Sequence, residues 1–359
     1  MSDLLELHEP EGALERIESW LRERGFFAPG GEDLAADLYL GYGLSQVLRR
    51  ERTASPPEPC SLPLAACAVR DHRYVVVDDN VRITFGAWEC SWTEAEYGAA
   101  VAAVRDAIEL GDVYQVNLVQ HLVAPFAGDP DTLAARLAPL RPLSPEPFRG
   151  NGWTVVSASP ELFLARRGRR VWTCPIKGTR PAGGAGELAA SPKDAAEHVM
   201  IVDLERNDLS RVCEAGSVRW PELMATRRLV GVEHMVSTVE GTLRDGVGLA
   251  ELLGATFPGG SVTGAPKIAA LDLIAGLEPV GRGASMGAVG RVRGNGDLDL
   301  ALTIRTFAIA DGRIHLWVGG GVVWDSDPAE EVEESWTKAR PLLRAIGAPL
   351  VEAVCVRAR

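Results

Sequence analysis

The sequence predicts an α+β fold with antiparallel sheets. Three observations carry this. Apolar alternations come in groups, with helical stretches between the groups rather than after every strand. Within a group the strand-like segments run on as meanders. No internal repeat of solenoid period is present. The 359 residues are 46% hydrophobic and 24% charged, a composition able to bury a large core.

The elements follow in chain order. Glu11 to Arg24 has helical periodicity, and Leu34 to Leu48 reads as a second helix. Thr53 to Pro63 is Pro-rich and reads as a loop. Tyr74–Val77 and Val81–Phe85 form a predicted hairpin around Asp78-Asp79-Asn80. Thr93 and Glu96 make a capping box for an amphipathic helix ending near Gly111. Val113 to Val123 alternates as a strand, with Tyr114, Val116 and Leu118 on one face and Gln115 and Asn117 on the other. Short strands follow at Trp153–Ser157, Leu162–Ala165 and Val171–Pro175. Ala182 to Gly186 reads as a mobile loop. Ser191-Pro192 opens a helix to about Val212. Strands are predicted at Arg227–Val230 and Met235–Leu243, and helices at Leu249–Leu253 and Ala265–Gly276. A meander covers Gly287–Val292, Asp297–Phe307 and Arg313–Val318. A last helix spans Asp327 to Ala345.

Charge and cysteine content exclude several function classes. Lys+Arg 37 against Asp+Glu 49 leaves a net charge of −12. A nucleic-acid binder needs a basic face, so that class is disfavoured. No apolar stretch reaches membrane-spanning length. The acidic start, Met1 to Glu6, lacks the order of a signal peptide. The six cysteines, Cys60, Cys67, Cys90, Cys174, Cys213 and Cys355, are scattered. They read as reduced thiols of a cytoplasmic protein, not a disulfide frame or a zinc site.

Four regions carry candidate chemistry. In Pro175 to Pro181, Lys177 ends a strand and is followed by Gly178, Thr179 and Arg180. It is either a lysine reaching solvent or an amine in a cleft, where burial lowers its pKa toward nucleophilicity. The flanking backbone N–H, hydroxyl and guanidinium suit an anion. Glu197, Asp203, Glu205, Arg206, Asp208 and Arg211 share one helix, and most of them read as a solvated face of ion pairs. Glu331 and Glu334 share a face of the last helix with Lys338 a turn later. They are either an exposed charged face or oxygen ligands for Mg²⁺. Gly319-Gly320-Gly321 reads as a tight turn or as an anion-binding run of amides. Pro258 to Lys267 is Gly-rich but lacks Walker A spacing. His234 reads as an ordinary core or surface histidine.

Taken together, these segments resemble the chorismate-utilising enzymes, from about Ser91 to Leu343. The resemblance rests on Gly111–Leu118, Ser157-Ala158-Ser159-Pro160-Glu161, Pro175–Pro181, Ala196-Glu197-His198, Val202–Leu204 and Arg206–Asp208. It continues through Glu233–Ser237, Pro258–Lys267, Thr303–Thr306, Gly319–Val322, Asp325-Ser326 and Glu331–Glu334. It implies two stacked antiparallel sheets flanked by helices, with the active site in a central cleft. It also implies a domain division: a shortened N-terminal region over 1–90 in the same globule, a catalytic domain over 91–346 and a tail over 347–359.

The same resemblance implies the site. Glu197, Glu331 and Glu334 would hold Mg²⁺. Gly178, Thr179, Thr263, Arg305, Lys338, Gln115 and the Gly319, Gly320 and Gly321 amides would bind chorismate. Gln115 stands where the water-using members carry a lysine base. Lys177 stands where anthranilate synthases typically carry alanine. The pattern is similar to the aminodeoxychorismate synthase branch, with Lys177 as covalent nucleophile and Glu161 as general acid. His234 lies near the substrate. Ser285 departs from the family's usual aromatic residue. The implied partners are a glutamine amidotransferase that supplies ammonia and a downstream aminodeoxychorismate lyase. An anthranilate synthase, a secondary-metabolite aminating paralogue and a catalytically silent chorismate-binding subunit are the alternatives.

Overall fold

A computed structural model describes residues 3–51, 54–70, 82–181, 184–229 and 232–349. Among these residues it contains two large sheets, and every strand pairing is antiparallel. This is the α+β architecture that the grouped strands predict.

The ten-stranded sheet runs Leu4–Leu7, Ala65–Val69, Ala35–Leu40, Ala288–Arg293, Leu298–Leu302, Leu162–Arg167, Arg170–Cys174, Val232–Thr242 and Ile176–Pro181. Arg219–Leu229 also pairs with Val232–Thr242. The eight-stranded sheet runs Gly264–Ala265, Gln115–Ala127, Arg313–Val322, Thr306–Ala310, Trp153–Ser157 and Phe148–Arg149. Thr84–Phe85 and Glu89–Cys90 add to Gln115–Ala127.

Thr93 caps the helix Glu94–Glu109, with both arms of the capping box formed. Gln115 to Ala124 is buried on both faces, so the sequence alternation does not separate a wet side from a dry one. The reason is that the strand lies inside the molecule, between its neighbours and the helices Glu94–Glu109 and Lys267–Leu277.

Several expectations are corrected. Leu34 to Leu48 is not one helix but the strand Ala35–Leu40 followed by a 3₁₀ turn over Tyr42–Leu48. Pairing with strands on both sides overrides its helical pattern. The stretch 297–307 is two strands in different sheets, Leu298–Leu302 and Thr306–Ala310. The chain breaks between them at Arg305, whose φ is 51°. Gly319–Gly321 is not a turn but the end of the strand Arg313–Val322. Lys177 is not at a strand end but inside the strand Ile176–Pro181. Ala185–Ala189 is a short helix where the composition predicts a loop. Cys60, Cys67, Cys174 and Cys213 are free thiols, whereas Cys90 is disulfide-bonded, contrary to uniformly reduced cysteines. The Tyr74–Val77 strand and the residues from Leu350 onward lie outside the described residues. Among the described residues, no helix is long and apolar enough to cross a membrane.

A buried ion pair ties the turn Gly260–Val262 to the strand Gln115–Ala127. Arg282 and Glu278 meet at 2.6 Å with side chains only 1% and 2% exposed. Arg282 also donates to the carbonyls of Val262 and Asn117 at 2.9 and 2.6 Å, and Glu278 accepts from the Val119 amide at 3.1 Å. The Tyr42 ring covers the guanidinium at 4.4 Å. Breaking such a pair from one side leaves an uncompensated buried charge. It therefore pins the loop carrying Ser261 and Thr263 against the strand carrying Gln115 and Asn117.

Candidate active site

The candidate residues gather where the two sheets and the last helix meet. Lys177, Gly178 and His234 come from the ten-stranded sheet. Gln115 and Gly319–Gly321 come from the eight-stranded one. Arg305 sits at the crossing between them.

Local structure explains the positions. At Gly178 the pairing register shifts between Lys177 and Thr179, and φ is +67°. Such a bulge re-aims neighbouring side chains. A Cβ there would also lie 2.5 Å from Leu188 Cδ1, so a side chain would strain the backbone and displace the tip of that leucine. Thr179 is set opposite His234 in the register, and His234 Nδ1 lies 3.3 Å from the Gly178 carbonyl. Burial pushes the His234 pKa down.

The Ser157–Glu161 motif is a ladder of side-chain-to-backbone bonds. Ser157 Oγ accepts from the Ser159 amide at 3.2 Å, and Ser159 Oγ accepts from the Glu161 amide at 3.3 Å. Ser157 also meets Thr306 at 2.8 Å, and the Ala158 amide donates to the Arg305 carbonyl at 3.0 Å. The motif thus brings Glu161 and Arg305 to one place.

Glu161 is 4% exposed and accepts from Ser261 Oγ at 2.8 Å. Burial raises its pKa, against Ser261, Lys177 and Arg305, which hold the carboxylate form. Burial likewise lowers the Lys177 pKa, against the attraction of Glu197 and Glu161. Burial thus acts on both groups in the direction of neutrality, while the opposite charges beside them act against it.

Gly321 brings the second sheet to Lys177. A Cβ on Gly321 would lie 3.5 Å from Lys177 Nζ and 2.3 Å from Gln115 Nε2. Gln115 is fully buried, and neither atom of its amide has a hydrogen-bond partner. An unpartnered buried amide is expensive, so a polar ligand beside Lys177 would repay it. Thr263 is also fully buried, and its Oγ1 is 3.3 Å from Tyr42 Oη.

Gly320 marks the anionic corner. A Cβ there would lie 3.1 Å from Glu334 Oε1, 3.2 Å from Glu331 Oε2 and 3.3 Å from Lys338 Nζ. Glu331 is buried and accepts from Ser326 Oγ at 2.6 Å. Glu334 pairs with Lys338 at 2.7 Å, and Lys338 also donates to the Gly319 carbonyl at 2.7 Å. Two hard carboxylates thus converge, and oxygen donors of this kind fit Mg²⁺. Glu197 lies across the junction, close enough to act electrostatically on Lys177. Among the described residues, no three His, Cys, Asp or Glu side chains are already grouped as a metal cluster.

Sequence reading missed four residues. Ser261 is visible in the sequence only as part of a Gly-rich run, yet it holds Glu161. Tyr42 lies in a segment whose pattern reads as a helix. Glu205 and Asp208 are not on a solvated face but are buried, at 8% and 6% exposure.

An antiparallel two-sheet α+β fold thus carries a lysine, a buried acid and a carboxylate corner at one junction. A family model described as chorismate binding enzyme matches residues 74–344, and the chain belongs to that family. It is 40% identical over 316 residues to anthranilate synthase component 1 of Streptomyces coelicolor, covering 84% of this chain and 59% of that protein. It is 39% identical over 269 residues to aminodeoxychorismate synthase component 1 of Escherichia coli, covering 72% and 59%. The crystal structure of anthranilate synthase component I from Streptococcus pneumoniae aligns with a TM-score of 0.78 at 27% identity, covering 88% of this chain and 81% of that one. The chain spans about three fifths of the length of these two curated relatives.

Proposed function

We propose that this chain is the large subunit of an aminodeoxychorismate synthase, making 4-amino-4-deoxychorismate from chorismate and ammonia. The observation that carries the reading is the half-buried Lys177, whose amine lies beside Glu161, Gln115 and Gly321. By the resemblance, an anthranilate synthase typically has alanine at this position. Relatives of both names match at similar identity, so the choice between them rests on Lys177.

In the proposed reaction the Lys177 amine attacks C2 of chorismate. The C4 hydroxyl leaves as water with the proton of Glu161. Ammonia then attacks C4 and expels the lysine amine. Two displacements retain the configuration at C4. Arg305, Thr179, Gly178, Thr263, Gln115, Lys338 and the amides of Gly319–Gly321 hold the substrate's polar groups, and His234 lies beside it. Glu331 and Glu334, with Glu197, would hold Mg²⁺, whose charge would offset that of the substrate carboxylates. Ammonia would come from a partner glutamine amidotransferase, and a lyase would consume the product to give 4-aminobenzoate.

The test is the variant Lys177→Ala. It abolishes or redirects amination while leaving Mg²⁺-dependent chorismate binding largely in place, and mass spectrometry of trapped wild type finds a substrate adduct on Lys177. Undiminished aminodeoxychorismate formation by the variant would overturn the covalent role.

A further inference from the structure

The helix Pro192–Ser210 carries an acidic pair that the proposed reaction does not use. Glu205 and Asp208 share one face of this helix at i, i+3 spacing, and they are only 8% and 6% exposed. Both line a small pocket of ≈ 10 Å³, together with Phe163, Thr173, Thr256 and Gly260. That is the space of one water-sized particle. Glu205 Oε2 is buried and has no hydrogen-bond partner.

The hydrogen-bond donors around the pocket are committed. Lys267 Nζ donates to Asp208 at 2.6 Å and to the Thr256 carbonyl at 3.2 Å. Thr256 Oγ1 donates to the Leu252 carbonyl at 2.9 Å. Thr173 has one hydroxyl proton, set between the Leu162 carbonyl at 3.5 Å and the Glu205 carboxyl. These groups therefore offer a guest oxygen lone pairs. The charge count points the same way. Two buried carboxyl groups meet the one ammonium of Lys267, and the next cation along the helix, Arg211, is exposed and donates to the Ala255 carbonyl at 3.3 Å. One negative charge is left to be met by a proton or by a cation.

We propose that this pocket binds one water-sized monovalent cation, K⁺ or NH₄⁺, on the Glu205 carboxylate, with Asp208, Thr173 and Thr256 supplying further oxygen. Before the cation enters, burial and the carboxylates of Glu161 and Asp208 push Glu205 toward the neutral acid, against Thr173 and Lys267. The cation takes the place of that proton, which leaves to solvent, so the charge of the pocket is unchanged. Mg²⁺ does not suit the pocket, because it keeps several of its waters and there is room for a single particle. The site would join two parts of the candidate active site. Glu197 is on the same helix, and Gly260 directly precedes Ser261, which holds Glu161. Gly260 packs on the helix so closely that a Cβ there would lie 2.6 Å from Leu204 Cδ2. A bound cation would fasten the helix to this loop.

The experiment is thermal melting of the full chain with saturating Mg²⁺ and no chorismate, at one ionic strength, in the chlorides of K⁺, NH₄⁺, Li⁺ or tetramethylammonium. At about ten times its Kd, K⁺ or NH₄⁺ should raise Tm by about 2 °C over tetramethylammonium. Li⁺, smaller and more firmly hydrated, should raise it far less. Glu205→Gln keeps the size of the side chain and removes its charge, and should lose the shift. A larger shift with NH₄⁺ than with K⁺ makes the conjugate acid of ammonia the favoured occupant, and the reverse makes it K⁺; either sustains the site. The absence of any shift in wild type with both K⁺ and NH₄⁺ overturns the proposal, whether or not the variant folds. So does an equal shift in Glu205→Gln, or a Li⁺ shift that matches that of K⁺. No substrate is present, so a wrong choice between the two aminating reactions would leave the outcome unchanged.

Discussion

Gly320→Ala separates the anionic corner from the fold that carries it. Gly320 lies in a strand, and its φ is outside the left-handed region, so alanine is allowed by the backbone. Alanine in a strand interior is favoured over glycine by about 0.5–1 kcal/mol. The added methyl would meet three charged atoms, Glu334 Oε1, Glu331 Oε2 and Lys338 Nζ, at 3.1–3.3 Å. Each must retreat by a few tenths of an ångström, and Glu334 and Lys338 can do so because they are half exposed. Thermal stability should therefore hold or rise slightly. A cation and a substrate carboxylate would lose their fitted contacts. The expected cost is on the order of 1.4 kcal/mol, or about tenfold in the Mg²⁺ concentration for half activity. The assay is a Mg²⁺ titration of turnover beside a melting curve. Unchanged Mg²⁺ dependence with an unchanged melting point would refute the assignment of this corner to metal and substrate.

Other outcomes follow from the same geometry. Arg282→Met leaves Glu278 charged and buried, and should cost about 3–5 kcal/mol in urea unfolding. Glu331→Gln and Glu197→Gln should each raise the Mg²⁺ requirement, and wild-type titrations for both would remove them from the metal site. The purified chain should turn over with high ammonium at alkaline pH, where free NH₃ is available, and fail with glutamine. No cysteine in the sequence has the glutaminase elbow, so efficient turnover from glutamine alone would contradict the proposed nitrogen source.

Some of this architecture is legible in the sequence because its causes are local. The Thr93–Glu96 box, the Ser191-Pro192 helix start and the strand at Trp153–Ser157 each depend on a few adjacent residues. Other features depend on distant partners. Ala35–Leu40 is a strand because Ala65–Val69 and Ala288–Arg293 flank it, which no window over 34–48 reveals. Gly319–Gly321 looks like a turn until Leu118, Gln115, Glu331 and Glu334 are seen pressing on it: a Cβ at Gly319 would lie 1.8 Å from the Leu118 carbonyl oxygen. The charges at Glu205 and Asp208 resemble a wet helix face, but both residues are buried and Asp208 is paired with Lys267. The candidate site is legible mainly through the resemblance, because its groups come from both sheets and the last helix.

The most direct measurement is the product formed by the wild-type chain from chorismate, ammonium and Mg²⁺. The account predicts a product that aminodeoxychorismate lyase converts to 4-aminobenzoate, with no anthranilate fluorescence. Direct appearance of anthranilate would contradict it.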